Sequence, residues 1–110
     1  MLIMDQFIET TTKEAGGKLL EMFGTAKVLG AKNGVMDIVT EADVASQEIL
    51  VSAIKSTYPD HGIVSEESAA YQTDADYVWY LDPLDGTKNF STGVQLFGIN
   101  LAVTYKKQLK

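Results

Sequence analysis

Between Met4 and Phe23, apolar side chains recur at three- and four-residue steps: Met4, Phe7, Ile8, Ala15, Leu19, Met22 and Phe23. That is the period of a helix with one face turned toward a core. Gly16 and Gly17 interrupt it, each costing a helix about 1 kcal/mol relative to alanine, so packing of the apolar stripe has to stabilise it. Gly24 is placed to close it. A second helix is predicted over Thr40 to Thr57, through Ala42, Ala45, Ile49, Leu50, Ala53 and Ile54. Thr40 is a natural N-cap with Asp43 at the third helical position, close to a capping box, and Tyr58-Pro59-Asp60 stops the helix. Between the helices, an extended Val28 to Lys32 leads to a turn at Asn33-Gly34.

Past His61, which reads as a loop residue, the pattern turns to that of strands. Gly62 to Ser65 and Tyr77 to Leu81 are short strands, separated by a polar loop from Ser68 to Ala75. From Leu96 to Tyr105 the chain alternates: Phe97, Ile99, Leu101, Val103 and Tyr105 share one face, and Gly98, Asn100, Ala102 and Thr104 the other. Tyr77 and Trp79 belong to the core. The fold class is α+β, two long helices packed on a mostly antiparallel sheet. Lys106-Lys107-Gln108 reads as a hairpin turn whose returning strand has barely begun, which leaves the strand from Leu96 short of a neighbour. Another chain, as in a homodimer, or a further segment is expected to supply it.

Composition narrows the function. With 110 residues, 45% of them apolar, the chain can bury one core without covalent staples. Its net charge of -6 disfavours nucleic acid and anionic membranes as partners. It has no cysteine and one histidine, which excludes disulfides and thiolate or multi-histidine metal sites and points to a reducing cytoplasm. The acidic start MLIMDQFIE is unlike a signal peptide, and no apolar run reaches membrane-spanning length.

The stretch YLDPLDGTKNF, residues 80–90, carries the chemistry. Pro83 holds Asp82 extended and Gly86 permits a positive φ, so a sharp fold-back after the strand can bring the carboxylates of Asp82 and Asp85 toward one point. Two anions about 4 Å apart repel by roughly 4 kcal/mol at an effective dielectric of about 20. A counter-charge is therefore needed, and no arginine exists to supply it; Lys88 is the only local lysine. A hard divalent cation suits an all-oxygen donor set better. Glu66-Glu67 at a strand end and Asp43 at a helix start add carboxylates, and Thr87 could position a water. Each has a plainer reading: Asp43 as a cap, Glu66-Glu67 as a solvated pair, Asp85-Gly86 as an ordinary turn, Lys32 and Lys88 as surface lysines.

Asp82-Pro83-Leu84-Asp85-Gly86-Thr87 resembles the signature of the inositol monophosphatase family, Mg2+-dependent and lithium-sensitive phosphatases of the fructose-1,6-bisphosphatase-like superfamily. Glu66-Glu67-Ser68 and the segment from Asp37 to Asp43 resemble two further elements of that family, in the same order. The resemblance implies that Glu66, Asp82, Asp85 and the carbonyl of Leu84 are metal ligands, with Asp82 bridging two ions. It implies that Thr87 with Asp43 activates the attacking water and that Glu67 supports the metal shell. Glu66, Leu84, Asp85, Gly86 and Thr87 would border the substrate, Gly86 and Thr87 touching its phosphate. Lys32 would lie near the site.

The implied activity is hydrolysis of a phosphate monoester, inositol monophosphate or a similar polyol or sugar phosphate. Two or three Mg2+ ions would serve it, with Mn2+ able to substitute and Li+ inhibitory. Bisphosphorylated nucleotides and fructose 1,6-bisphosphate are the related alternatives. The family's later Trp-Asp element has no counterpart here, since Trp79 is followed by Tyr80. The chain is therefore expected to be the N-terminal metal- and phosphate-binding half of a layered helix and sheet sandwich, residues 1–110, with the C-terminal domain absent. A non-catalytic unit that needs that half as a partner is the alternative from another class.

Overall fold

The computed structural model describes residues 2–31, 38–66 and 68–109. The predicted turn at Asn33-Gly34, together with Lys32, Asp37 and Glu67, lies outside them.

Helix α1 spans Leu2–Met22 and α2 spans Glu41–Thr57. Gly24 follows α1 with φ of 86°, the left-handed conformation expected of a closing glycine. Strands β1 (Val28–Ala31) and β2 (Ile38–Thr40) form an antiparallel ribbon that delivers Thr40 to the start of α2. Sequence periodicity had no means of showing β2, because three residues are too few to display it.

The main sheet contains β3 (Gly62–Ser65), β4 (Tyr77–Asp85), β5 (Gly98–Tyr105) and β6 (Gln108–Leu109), in that order. β3 runs parallel to β4, and the other pairs are antiparallel. Lys106 and Lys107 form the two-residue hairpin turn, both with positive φ, as a primed turn requires. β6 pairs only Thr104 and Tyr105 of β5, so among the described residues 98–103 have no strand on that side. The expected loop at 68–75 is not wholly free of the sheet: Tyr71 bridges to Ile63.

The helices cover one face of this sheet. Met4, Ala15, Leu50, Ile54, Ile63, Trp79, Leu81 and Val103 form the larger core cluster, and Leu19, Ala42, Leu84 and Phe90 a second one beside it. Residues that are apolar on alternate strand positions thus meet the helical stripes, as the two periodicities require. Phe7 packs edge-on against Trp79 and Tyr58. Among the described residues, no helix is long and apolar enough to cross a membrane.

Candidate active site

β4 does not stop at Leu81, where the sequence places its end, but continues through Pro83 to Asp85. A bulge makes this possible. Asp82 pairs with Asn100 and Asp85 with Gly98, so a step of three residues on β4 matches a step of two on β5. Pro83 and Leu84 have no counterpart in this register, and the missing N–H of Pro83 therefore costs the ladder nothing. The bulge also answers what the Asp-x-x-Asp spacing does. Residues three apart on a regular strand point to opposite faces; here both pair with residues of the same parity on β5 and share the face turned away from the helices.

Glu66 and Asp82 come to adjacent positions by a separate route. Ser65 pairs with Leu81 in the parallel β3–β4 register, so the next residues along each strand lie side by side. Together with Asn100 they border a shallow concavity of about 460 Å³ whose floor includes Tyr80 and Ala102. Asn100 was not singled out from the sequence; its position on the polar face of an alternating strand, opposite Asp82, was the available signal.

Asp43 belongs to a second group. Its side chain is 1% exposed, and both carboxylate oxygens are engaged. Oδ2 accepts from the backbone N–H of Thr40 at 2.9 Å and from the Thr40 hydroxyl at 2.7 Å, while that hydroxyl accepts from the N–H groups of Ala42 and Asp43. This completes the capping box. Oδ1 accepts from the Thr87 hydroxyl at 3.0 Å. One oxygen of the carboxylate thus serves the cap and the other meets Thr87. Thr87 Oγ1 lies 3.0 Å from the carbonyl of Leu84 as well, so its single proton is placed between two acceptors.

Between Leu84 and Thr87 the chain reverses at Gly86, whose φ is 84°. A Cβ there would stand 2.7 Å from the carbonyl oxygen of Leu96. A short helix, α3 (Thr87–Ser91), follows and buries Phe90 in the second core cluster. Five residues are too few for periodicity to reveal, and α3 was not foreseen. Asp85, before it, and Lys88, within it, are exposed.

Asp43, Thr87 and the Leu84 carbonyl are therefore joined by hydrogen bonds, while Glu66 and Asp82 border one concavity; the backbone from 82 to 87 links the two groups. Among the described residues, no three acidic or histidine side chains stand close enough together to hold a metal ion. One residue that sequence reasoning passed over is Ser46, fully buried, whose hydroxyl donates to the carbonyl of Pro83 at 2.7 Å. A serine four residues from Ala42 and from Leu50, within the apolar stripe of α2, was the signal.

Comparison with known proteins bears on the family and the fold. A sequence model described as the inositol monophosphatase family matches residues 3–110. The Nus factor SuhB of Haemophilus influenzae is 42% identical over 78 residues, 70% of this chain and 29% of that protein. The structure of an IMPase from Thermotoga maritima superposes with a TM-score of 0.88 at 34% identity, covering 100% of this chain and 42% of that one. An IMPase/NADP phosphatase complexed with Mg2+ and phosphate shares the fold, with a TM-score of 0.86 at 23% identity over 98% of this chain and 41% of that one. The chain thus spans less than half the length of the proteins it matches.

Proposed function

Because the chain belongs to the inositol monophosphatase family, we propose that it forms the metal- and phosphate-holding part of a Mg2+-dependent phosphomonoester hydrolase. The substrate would be inositol monophosphate or a similar polyol or sugar phosphate. The observation that carries this reading is the Thr87 hydroxyl standing 3.0 Å from both Asp43 Oδ1 and the Leu84 carbonyl.

The donor chemistry fits the ion. Glu66, Asp82, Asp85 and the Leu84 carbonyl offer oxygen atoms only, the ligands a hard cation prefers. When bound, Mg2+ polarises the phosphoryl group and makes a water more acidic. Asp82, beside Glu66 at the strand tips, would be one of the residues holding the ion. Glu67 would support these ligands. Thr87 would hold the attacking water through its oxygen lone pairs and release its own proton toward Asp43 Oδ1, with Asp43 kept in place by Thr40. Gly86, lacking a side chain, would let phosphate oxygens approach the backbone beside Thr87.

Phosphate release from inositol 1-phosphate in the presence of Mg2+ tests this. Thr87→Ala and Asp43→Asn should each lower kcat by about a hundredfold or more, the usual contribution of a positioned proton acceptor. Wild-type turnover by Thr87→Ala would defeat the reading. A second reading is a unit without turnover of its own, since among the described residues no close acidic trio completes a metal site. It predicts no phosphate release by the 110-residue chain, and recovery when the remaining length of a family member is added in trans.

A further inference from the structure

The bulge in β4 takes two carbonyl groups out of register with β5, those of Pro83 and Leu84. Each meets a side-chain hydroxyl instead: Pro83 that of Ser46 at 2.7 Å, Leu84 that of Thr87 at 3.0 Å. Ser46 follows Asp43 by three residues, and Asp43 receives Thr87. Two side chains on one face of α2 thus grip the segment 83–87 at both its ends, one accepting a hydrogen bond and the other donating one.

We propose that Ser46 is a positioning residue, which fixes the direction of the Leu84 carbonyl and of Asp85 by anchoring the preceding peptide to α2. The inference rests on the phosphatase reading for its functional consequence. Its physical basis is independent of that reading. Ser46 and Pro83 are both fully buried, so the hydroxyl and carbonyl have no water to turn to, and their bond has one geometry. The peptide that leaves Pro83 is the one that carries Leu84 toward its proposed ligand role. Rotation of that peptide would redirect both the Leu84 carbonyl and the side chain after it. Asp43 acts on this peptide only through Thr87, whose single hydroxyl proton is placed between Asp43 Oδ1 and the Leu84 carbonyl, whereas Ser46 bonds the Pro83–Leu84 peptide directly.

The test compares wild type with Ser46→Ala, Ser46→Thr and Ser46→Cys in two measurements. The first, without metal, is hydrogen exchange of the amides of Leu84, Asp85, Gly86 and Thr87. Ser46→Ala should speed it by about five- to tenfold, the change expected when one ordinary hydrogen bond is lost. Amides of Leu50 to Ile54, one turn further along α2, should be unchanged. The second is Mn2+ titration, in which Ser46→Ala should weaken binding by a similar factor and Ser46→Thr, which restores the hydroxyl, should recover it. Ser46→Cys keeps the volume with a weaker donor and should fall between; it serves should the alanine variant not fold. Exchange that is unchanged at 84–87, or accelerated equally throughout α2, overturns the proposal. Failure of wild type to bind Mn2+ would defeat the phosphatase reading instead, and the exchange comparison would still decide the role of Ser46 in the segment.

Discussion

Thr87 and Asp43 are 44 positions apart in the chain, yet the hydroxyl of one donates to the buried carboxylate of the other at 3.0 Å. The bond ties the end of β4 to the first turn of α2. A double-mutant cycle with Asp43→Ala and Thr87→Val, read by urea unfolding, should give a coupling energy of about 1–2 kcal/mol. Additive effects of the two changes would show that the bond is not sustained in solution.

Gly86 is the pivot of the same segment. Its φ of 84° disfavours any side chain, and an added Cβ would meet the Leu96 carbonyl oxygen at 2.7 Å, a backbone atom that has little room to move. Gly86→Ala should destabilise the fold by about 2–4 kcal/mol, from the conformational cost and the overlap together. It should also shift α3, seen as altered packing of Phe90 against Phe97 and Phe23, which it meets at 4.8 and 5.5 Å between ring centres. A stability within 0.5 kcal/mol of wild type, roughly the scatter for neutral surface changes, would contradict this.

His61 confers a pH dependence. Its ring is stacked between Tyr58 and Tyr77, with centroids 4.6 and 4.7 Å away, and Nδ1 accepts a hydrogen bond from the Trp79 indole at 2.8 Å. Burial lowers its pKa below the ordinary value of 6.5, with Asp60 opposing in part. The unfolded chain therefore takes up a proton before the folded one does as pH falls. The stabilisation is complete above about pH 6.5 and is lost as pH drops toward the lower, folded-state value. Thermal unfolding of wild type between pH 7.5 and 5 should show this decline, and His61→Gln should flatten it. Equal slopes for the two proteins would refute the assignment.

The legible part of the fold was the part with long periodic signals. Both helices and β5 appear where apolar spacing places them, because a long run of one period leaves little ambiguity, while β3 and the first part of β4 were marked by short apolar runs between turn residues. What escaped was short or depended on contact. β2 and α3 have three and five residues, too few to show a period. The extension of β4 through Pro83 depends on a bulge that only the pairing with Gly98 and Asn100 defines. Asp43 was legible as a cap from Thr40 alone, and its link to Thr87 only through the family resemblance, since no local rule joins residues 44 apart. Ser46 was hidden by the opposite problem: a small polar residue in an apolar stripe looks neutral until its partner, Pro83, is known. His61 read as a loop residue because nothing in its neighbours announces the aromatic stack that encloses it.

In the proposed function, oxygen donors at the tips of β3 and β4 share a divalent ion. Calorimetric titration of Mn2+ into wild type and Asp82→Asn, with folding of each verified by Trp79 emission, tests this most directly. Saturable binding by wild type that weakens about tenfold or more in Asp82→Asn is the predicted result, given the loss of one charged ligand from the set. An identical isotherm for the two proteins, or no binding by wild type, would contradict it.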